Sequence, residues 1–175
     1  MIVLAIDLSL RSTGVVALPS DFAASQDWSL VEHKCITTEC LPQSSSVAAS
    51  VGRMLAIAEQ LLYLASRCHP TVMALEEQAF RQHGAHGREL GELTGVVKAM
   101  LLTDQATLGL PLITVTASTA RKTLLGKCPK TGAKEAVHKV LTEMGAPWVD
   151  RDRSDAFCIA NHVLSQNGFP AVMVR

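Results

Sequence analysis

No uninterrupted apolar run in this sequence is long enough to span a bilayer, and none is framed by charges as a membrane helix would be. The opening Met1-Ile2-Val3-Leu4-Ala5-Ile6 has the apolarity of a secretory leader. No basic stretch precedes it, however, and Asp7 interrupts it at once, so a buried strand is the expected structure. Paired cysteines are lacking too. The five thiols, at positions 35, 40, 68, 128 and 158, form no CxxC spacing and are odd in number. Small buried thiols in a reduced cytosol account for them. His33, Cys35, Cys40 and Cys68 match no familiar zinc spacing. No repeat and no linker divides the 175 residues, a length that suits one domain over the whole of 1–175. Net charge is absent as well, with 16 Lys+Arg against 16 Asp+Glu.

That neutrality conceals an uneven distribution. Arg121, Lys122, Lys127, Lys130, Lys134 and Lys139 stand within one segment against the single acid Glu135. A neutral protein with one basic surface can still hold a phosphate backbone. Hydrophobic residues make up 48% of the chain, enough to build a core and to exclude disorder.

Residues 2–7 read as a central strand buried on both faces. A second apolar run begins at Gly14 and stops at Pro19, and a third strand is expected from Trp28 to Thr37. Three strands joined by short loops predict an antiparallel meander. From Ser46 the period changes: Val47, Val51, Leu55, Ala58, Leu61, Leu62 and Ala65 mark the expected core face of a helix ending at His69-Pro70. Val72 to Leu75 form a short buried strand closed by Glu76, and a helix follows from about Arg88 to Thr103. Leu112 to Val115 form the fifth strand, leading into a helix cap at Thr116–Thr119. Helices near 118–125, 132–144 and 153–166 complete an α/β chain of βββαβαβα order with a final helix. Strands and helices are thus mixed around one five-stranded sheet covered on both faces.

Carboxylates at the ends of buried strands need a reason, because an unpaired charge there is costly. Asp7 closes the first strand and Glu76 the fourth. Asp152 and Asp155 lie three apart, on one face of the first turn of the last helix. Each acid alone reads as a turn, a cap or a solvated strand end. Together, four carboxylates converging from two strands and a helix make a site for hard divalent cations, which prefer oxygen ligands.

These residues carry a resemblance. Ala5-Ile6-Asp7 with Arg11-Ser12-Thr13-Gly14 resembles the first-strand motif of RuvC-like Holliday junction resolvases, and Ala74-Leu75-Glu76 their second acidic motif. Leu90-Gly91 with Gly95-Val96 is similar to the helix after their active-site loop. Thr123-Leu124-Leu125-Gly126, followed by Ala133-Lys134 and Val137, resembles their basic segment, and Asp152-Arg153-Ser154-Asp155-Ala156 their final motif. Leu8-Ser9 stands where the bacterial enzymes usually place Pro-Gly, and the Ser-rich form is similar to phage-borne members. The resemblance implies an RNase H-like fold, a metal-dependent endodeoxyribonuclease, and Asp7, Glu76, Asp152 and Asp155 as ligands of Mg²⁺ or Mn²⁺. It also implies a homodimer that cuts two opposed strands of four-way junction DNA, with branch-migration motors as partners.

A phosphodiester repels nucleophiles and has a poor leaving group, and two cations roughly 3.5–4 Å apart address both difficulties. Asp7, on the central strand, is the expected bridging ligand. Lys134 is placed to stabilise charge developing on the phosphate. Arg121, Lys122, Lys127 and Lys130 are expected to contact the DNA backbone. Phe80 to Arg88 read as a DNA-probing loop, with Phe80 stacking on a base and Arg81 beside it. Gly91 and Gly95, one turn apart on the 88–103 helix, permit close helix approach and mark the expected dimer surface. An actin-like kinase would need further glycine-rich phosphate loops and a second domain. A related nuclease acting on other branched DNA or on RNA-containing substrates would share the same acids. A binding module would gain nothing from their mutual repulsion.

Overall fold

The computed structural model describes residues 1–39, 46–77 and 85–174. Strand β1 (Ile2–Asp7) pairs antiparallel with β2 (Ser12–Pro19), which pairs antiparallel with β3 (Glu32–Thr37). On its other side β1 runs parallel to β4 (Val72–Glu76), and β4 parallel to β5 (Leu112–Val115). The sheet order is β3-β2-β1-β4-β5, so the expected meander and mixed five-stranded sheet are both present.

Strand side chains alternate between faces, and here each parity has its own helices. Val3, Ala5, Val16, Leu18 and Ala74 pack on three helices from the C-terminal half. These are α4 (Ala117–Leu125), α5 (Ala133–Glu143) and α6 (Arg151–Gln166). Leu4, Ile6, Val15, Ala17, Met73 and Leu75 pack on α2 (Val47–Cys68) and α3 (Ala85–Thr103). Asp7 continues the parity of Val3 and Ala5, and Glu76 that of Ala74. Both acids therefore face the side on which α6 lies.

Three expectations need correction. The third strand begins only at Glu32, because Trp28–Leu30 form a 3₁₀ turn capped by Asp27. Trp28 there donates to the Met144 carbonyl (2.8 Å) and meets Phe22, Trp148 and Phe157 edge-on or tilted, so its ring is spent on packing. Phe22 belongs to a one-turn helix, α1 (Phe22–Ser25), that the loop composition does not suggest. The core face of α2 is the expected one at Ala58, Leu61 and Ala65 but departs from it in the first half of the helix. Met54, Ile57, Ala58, Leu61, Leu64 and Ala65 are buried, whereas Val47, Val51 and Leu55 are exposed. The helix is apolar on more than one stripe, so period alone does not select the buried one. By length and composition α2 also qualifies to cross a membrane, the one such helix among the described residues. In this fold its Met54–Ala65 face lies against the sheet.

Candidate active site

The first turn of α6 is fixed from several sides, and that fixation places Asp152 and Asp155. Asp150 caps the helix, accepting from the Arg153 backbone N–H at 2.9 Å. The Arg153 side chain folds back onto the Asp150 carboxylate and reaches His33 Nδ1 on β3 at 2.9 Å. Ser154, between the two acids, accepts from Trp148 Nε1 at 3.0 Å and lies 2.9 Å from His138 Nδ1 on α5. Beneath this turn runs Gly14 of β2, the register partner of Asp7. A Cβ on Gly14 would sit 2.2 Å from the Asp152 carbonyl carbon and oxygen and 2.6 Å from the Arg153 nitrogen. Only glycine lets the helix backbone approach so closely, and that approach brings Asp152 over Asp7.

The acids then converge. Lys134 Nζ lies 3.3 Å from Asp7 Oδ2, 3.3 Å from Asp152 Oδ1 and 3.0 Å from Asp155 Oδ2. Arg121 from α4 grips Asp155 with both arms, Nε to Oδ1 at 2.7 Å and Nη2 to Oδ2 at 2.8 Å. Ser12 donates to Asp152 Oδ2 at 2.5 Å. Asp7 and Asp155 are nearly fully buried, at 5% and 2% exposure. Burial pushes the Asp7 carboxyl up to about 9, helped by a hydrogen bond to Glu76 and by that residue's charge, and only partly opposed by Lys134. Burial acts to lower the Lys134 ammonium, yet the charges of Asp7 and Asp155 hold it above its ordinary value. The bidentate bond to Asp155 likewise raises Arg121.

All four expected acids thus meet on one sheet face, and Lys134 stands among them rather than in solvent. By chemistry the donor set suits hard divalent cations: oxygen ligands, two of them nearly fully buried, with the Asp7 pKa held above its ordinary value by burial and by Glu76. Among the described residues no group of three or more acidic, imidazole or thiol side chains stands arranged to hold a metal ion. Lys134 and Arg121 hold the positions between the carboxylates. Arg121 departs from the expected backbone contact, since its guanidinium is engaged by Asp155 at the acidic centre. Lys122, Lys127 and Lys130 are exposed. Phe80 and Arg81 lie outside the described residues.

Composition did not reveal Arg121, but helical spacing could have. Residues 117, 120, 121 and 124 share one face of α4, of which Ala120 and Leu124 are buried. A cation on that stripe calls for a buried anion. The same spacing marks Lys134, one turn before buried Val137 and two before Leu141. Ser12 carried no such signal.

Neither a family model nor any curated protein matches this chain. Solved structures do. The chain is similar to Thermus thermophilus RuvC in complex with its Holliday junction substrate, at 19% identity and a TM-score of 0.69, with 96% of each chain covered. It is similar to the yeast mitochondrial Holliday junction resolvase, at 16% identity and a TM-score of 0.58, covering 95% of this chain and 78% of that one. The Fowlpox virus resolvase with Holliday junction DNA follows at 13% identity and a TM-score of 0.55, with coverage of 95% and 99%. The five-stranded mixed sheet with helices on both faces is therefore the RNase H-like fold of the RuvC-like resolvases.

Proposed function

We propose that this chain is a structure-specific endonuclease that resolves four-way DNA junctions by paired symmetric nicks. One observation carries the proposal: Asp7, Glu76, Asp152 and Asp155 converge with Lys134 and Arg121 on one face of a fold shared with junction resolvases. Burying carboxylates together costs stability even with Lys134 and Arg121 among them, and such costly clusters of titratable groups concentrate at functional sites.

Asp7, Glu76, Asp152 and Asp155 would hold two Mg²⁺ or Mn²⁺ ions, which when bound activate water and stabilise the departing 3′-oxygen. Asp7 would be one of these ligands, set between Glu76 and the Lys134 ammonium. Lys134 supplies a fixed positive charge where the phosphate gains negative charge, a contribution worth about 10²–10³ in rate for a comparable single donor. Ser12 and the first-turn network around Ser154 keep Asp152 oriented. Lys122, Lys127 and Lys130 would position the DNA backbone without reading bases.

A junction presents two scissile strands related by approximate two-fold symmetry, which a symmetric homodimer matches. On α3, Leu93, Val97 and Leu101 are buried within the protomer, whereas Gly91, Gly95 and Ala99 form an exposed stripe of small residues. That stripe supports α3 as the dimer surface. The test of the activity is cleavage of a labelled four-way junction, a linear duplex and an RNA–DNA hybrid with Mg²⁺ or Mn²⁺. Cuts in the junction alone are expected. Cuts in the hybrid would instead favour a nuclease for RNA-containing substrates.

A further inference from the structure

The carboxylates of the site are not equally accessible to a cation. Asp152 offers Oδ1 to Lys134 at 3.3 Å, a long contact that an incoming ion could displace. Asp7 meets Lys134 at the same 3.3 Å and otherwise bonds Glu76. Asp155 differs. Oδ1 is taken by Arg121 Nε at 2.7 Å, and Oδ2 by Arg121 Nη2 at 2.8 Å and Lys134 Nζ at 3.0 Å. The pair lies within the protein, with side-chain exposures of 15% for Arg121 and 3% for Asp155. A bidentate guanidinium–carboxylate pair is the strongest of the side-chain ion pairs and has little freedom to shear.

We infer that Arg121 withholds Asp155 from divalent cations in the DNA-free protein, so that this residue sets how tightly the site takes up metal. The inference deepens the metal-dependent nuclease reading and rests on it. In the DNA-free protein the ion is held by Asp7, Glu76 and Asp152, and Asp155 joins only when the guanidinium lets go. Arg121 is thus a positioning residue that acts through the availability of a ligand.

The test is isothermal titration of the DNA-free protein with Mn²⁺ alone, read as affinity rather than activity. Wild type is compared with Arg121→Gln, Arg121→Lys, Asp155→Asn and Asp7→Asn. Lys139→Gln serves as control, since it removes the same charge from an exposed pair with Glu143. Arg121→Gln is expected to bind Mn²⁺ about tenfold or more tightly, a change similar in size but opposite in sign to the loss that follows removal of a group orienting a metal ligand. Arg121→Lys, which keeps the charge and the fold but loses the fork, is expected to gain less in the same direction. Asp155→Asn and Lys139→Gln are expected to match wild type, and Asp7→Asn to bind more weakly. Wild-type binding with no gain in either Arg121 variant would overturn the inference alone. So would a clear loss of affinity in Asp155→Asn. Absence of Mn²⁺ binding in every variant would instead remove the metal-dependent reading beneath it.

Discussion

Asp7 is buried beside Glu76 at the end of a central strand, and the protein tolerates it there by leaving it protonated up to about pH 9. The linkage has a definite sign. An unfolded Asp loses its proton near 3.8, whereas the folded one keeps it to about 9, so across that interval the folded state binds more protons. Its contribution to stability therefore falls as pH rises. With a chelator present, Asp7→Asn is expected to unfold at a higher temperature than wild type, and the gap should widen from pH 5 to pH 8. A constant gap would contradict the burial argument. Gly14 makes an equally local demand. Its Cβ position is filled by the backbone of Asp152 and Arg153, which cannot rotate away. Gly14→Ala is expected to destabilise by roughly 1–3 kcal/mol in urea titrations, as overpacked sites do, and to slow cleavage by lifting Asp152 from Asp7.

Among the helices that carry site residues, α4 is the shortest. It is nine residues long and carries Arg121, and its Thr116 cap accepts from the Thr119 N–H at 3.3 Å. Helices this short depend on caps and packing rather than on propensity. Thr116→Ala is expected to cost about 1 kcal/mol, measured by thermal or urea unfolding. The C-terminal segment supports the same helix, since the Val174 N–H donates to the Leu124 carbonyl while Asn161 clamps Val172 through both its amide groups. Element by element, the sheet was legible because residues 2–7 are buried almost throughout and the 72–76 run is short and bounded. The cap at Thr116 was legible for the same local reason. Where two apolar stripes compete, as on α2, the sequence pattern holds no information about which one the sheet covers. The strand start at Glu32 and the turn of Phe22–Ser25 depend on an aromatic cluster drawn from residues 22, 28, 148 and 157, which no local window contains. Arg121 meets Asp155 across 34 positions for a similar reason: α4 and α6 must pack before the pair exists.

At the scale of the whole molecule, the four acids could be read from the sequence because each sits at an element boundary where a charge is conspicuous. Their juxtaposition follows from strand parity and from the Gly14 contact. The dimer expected from α3 has its own test. Nothing lies within 4 Å of a Cβ built on Gly91 or Gly95, so leucine at either position should leave the protomer fold intact and even favour the helix. Gly91→Leu with Gly95→Leu is therefore expected to convert a dimer into a folded monomer of 18.7 kDa by sedimentation. A dimer that survives both changes would place the two-fold axis elsewhere. The central claim is tested most directly by end-labelled four-way junction, linear duplex and RNA–DNA hybrid, each incubated with Mg²⁺ or Mn²⁺ and either wild type or Asp7→Asn. The account predicts paired symmetric nicks in the junction alone, abolished by Asp7→Asn while junction binding largely survives. Cleavage of the hybrid, equal cleavage of the duplex, or no cleavage of any substrate would contradict it.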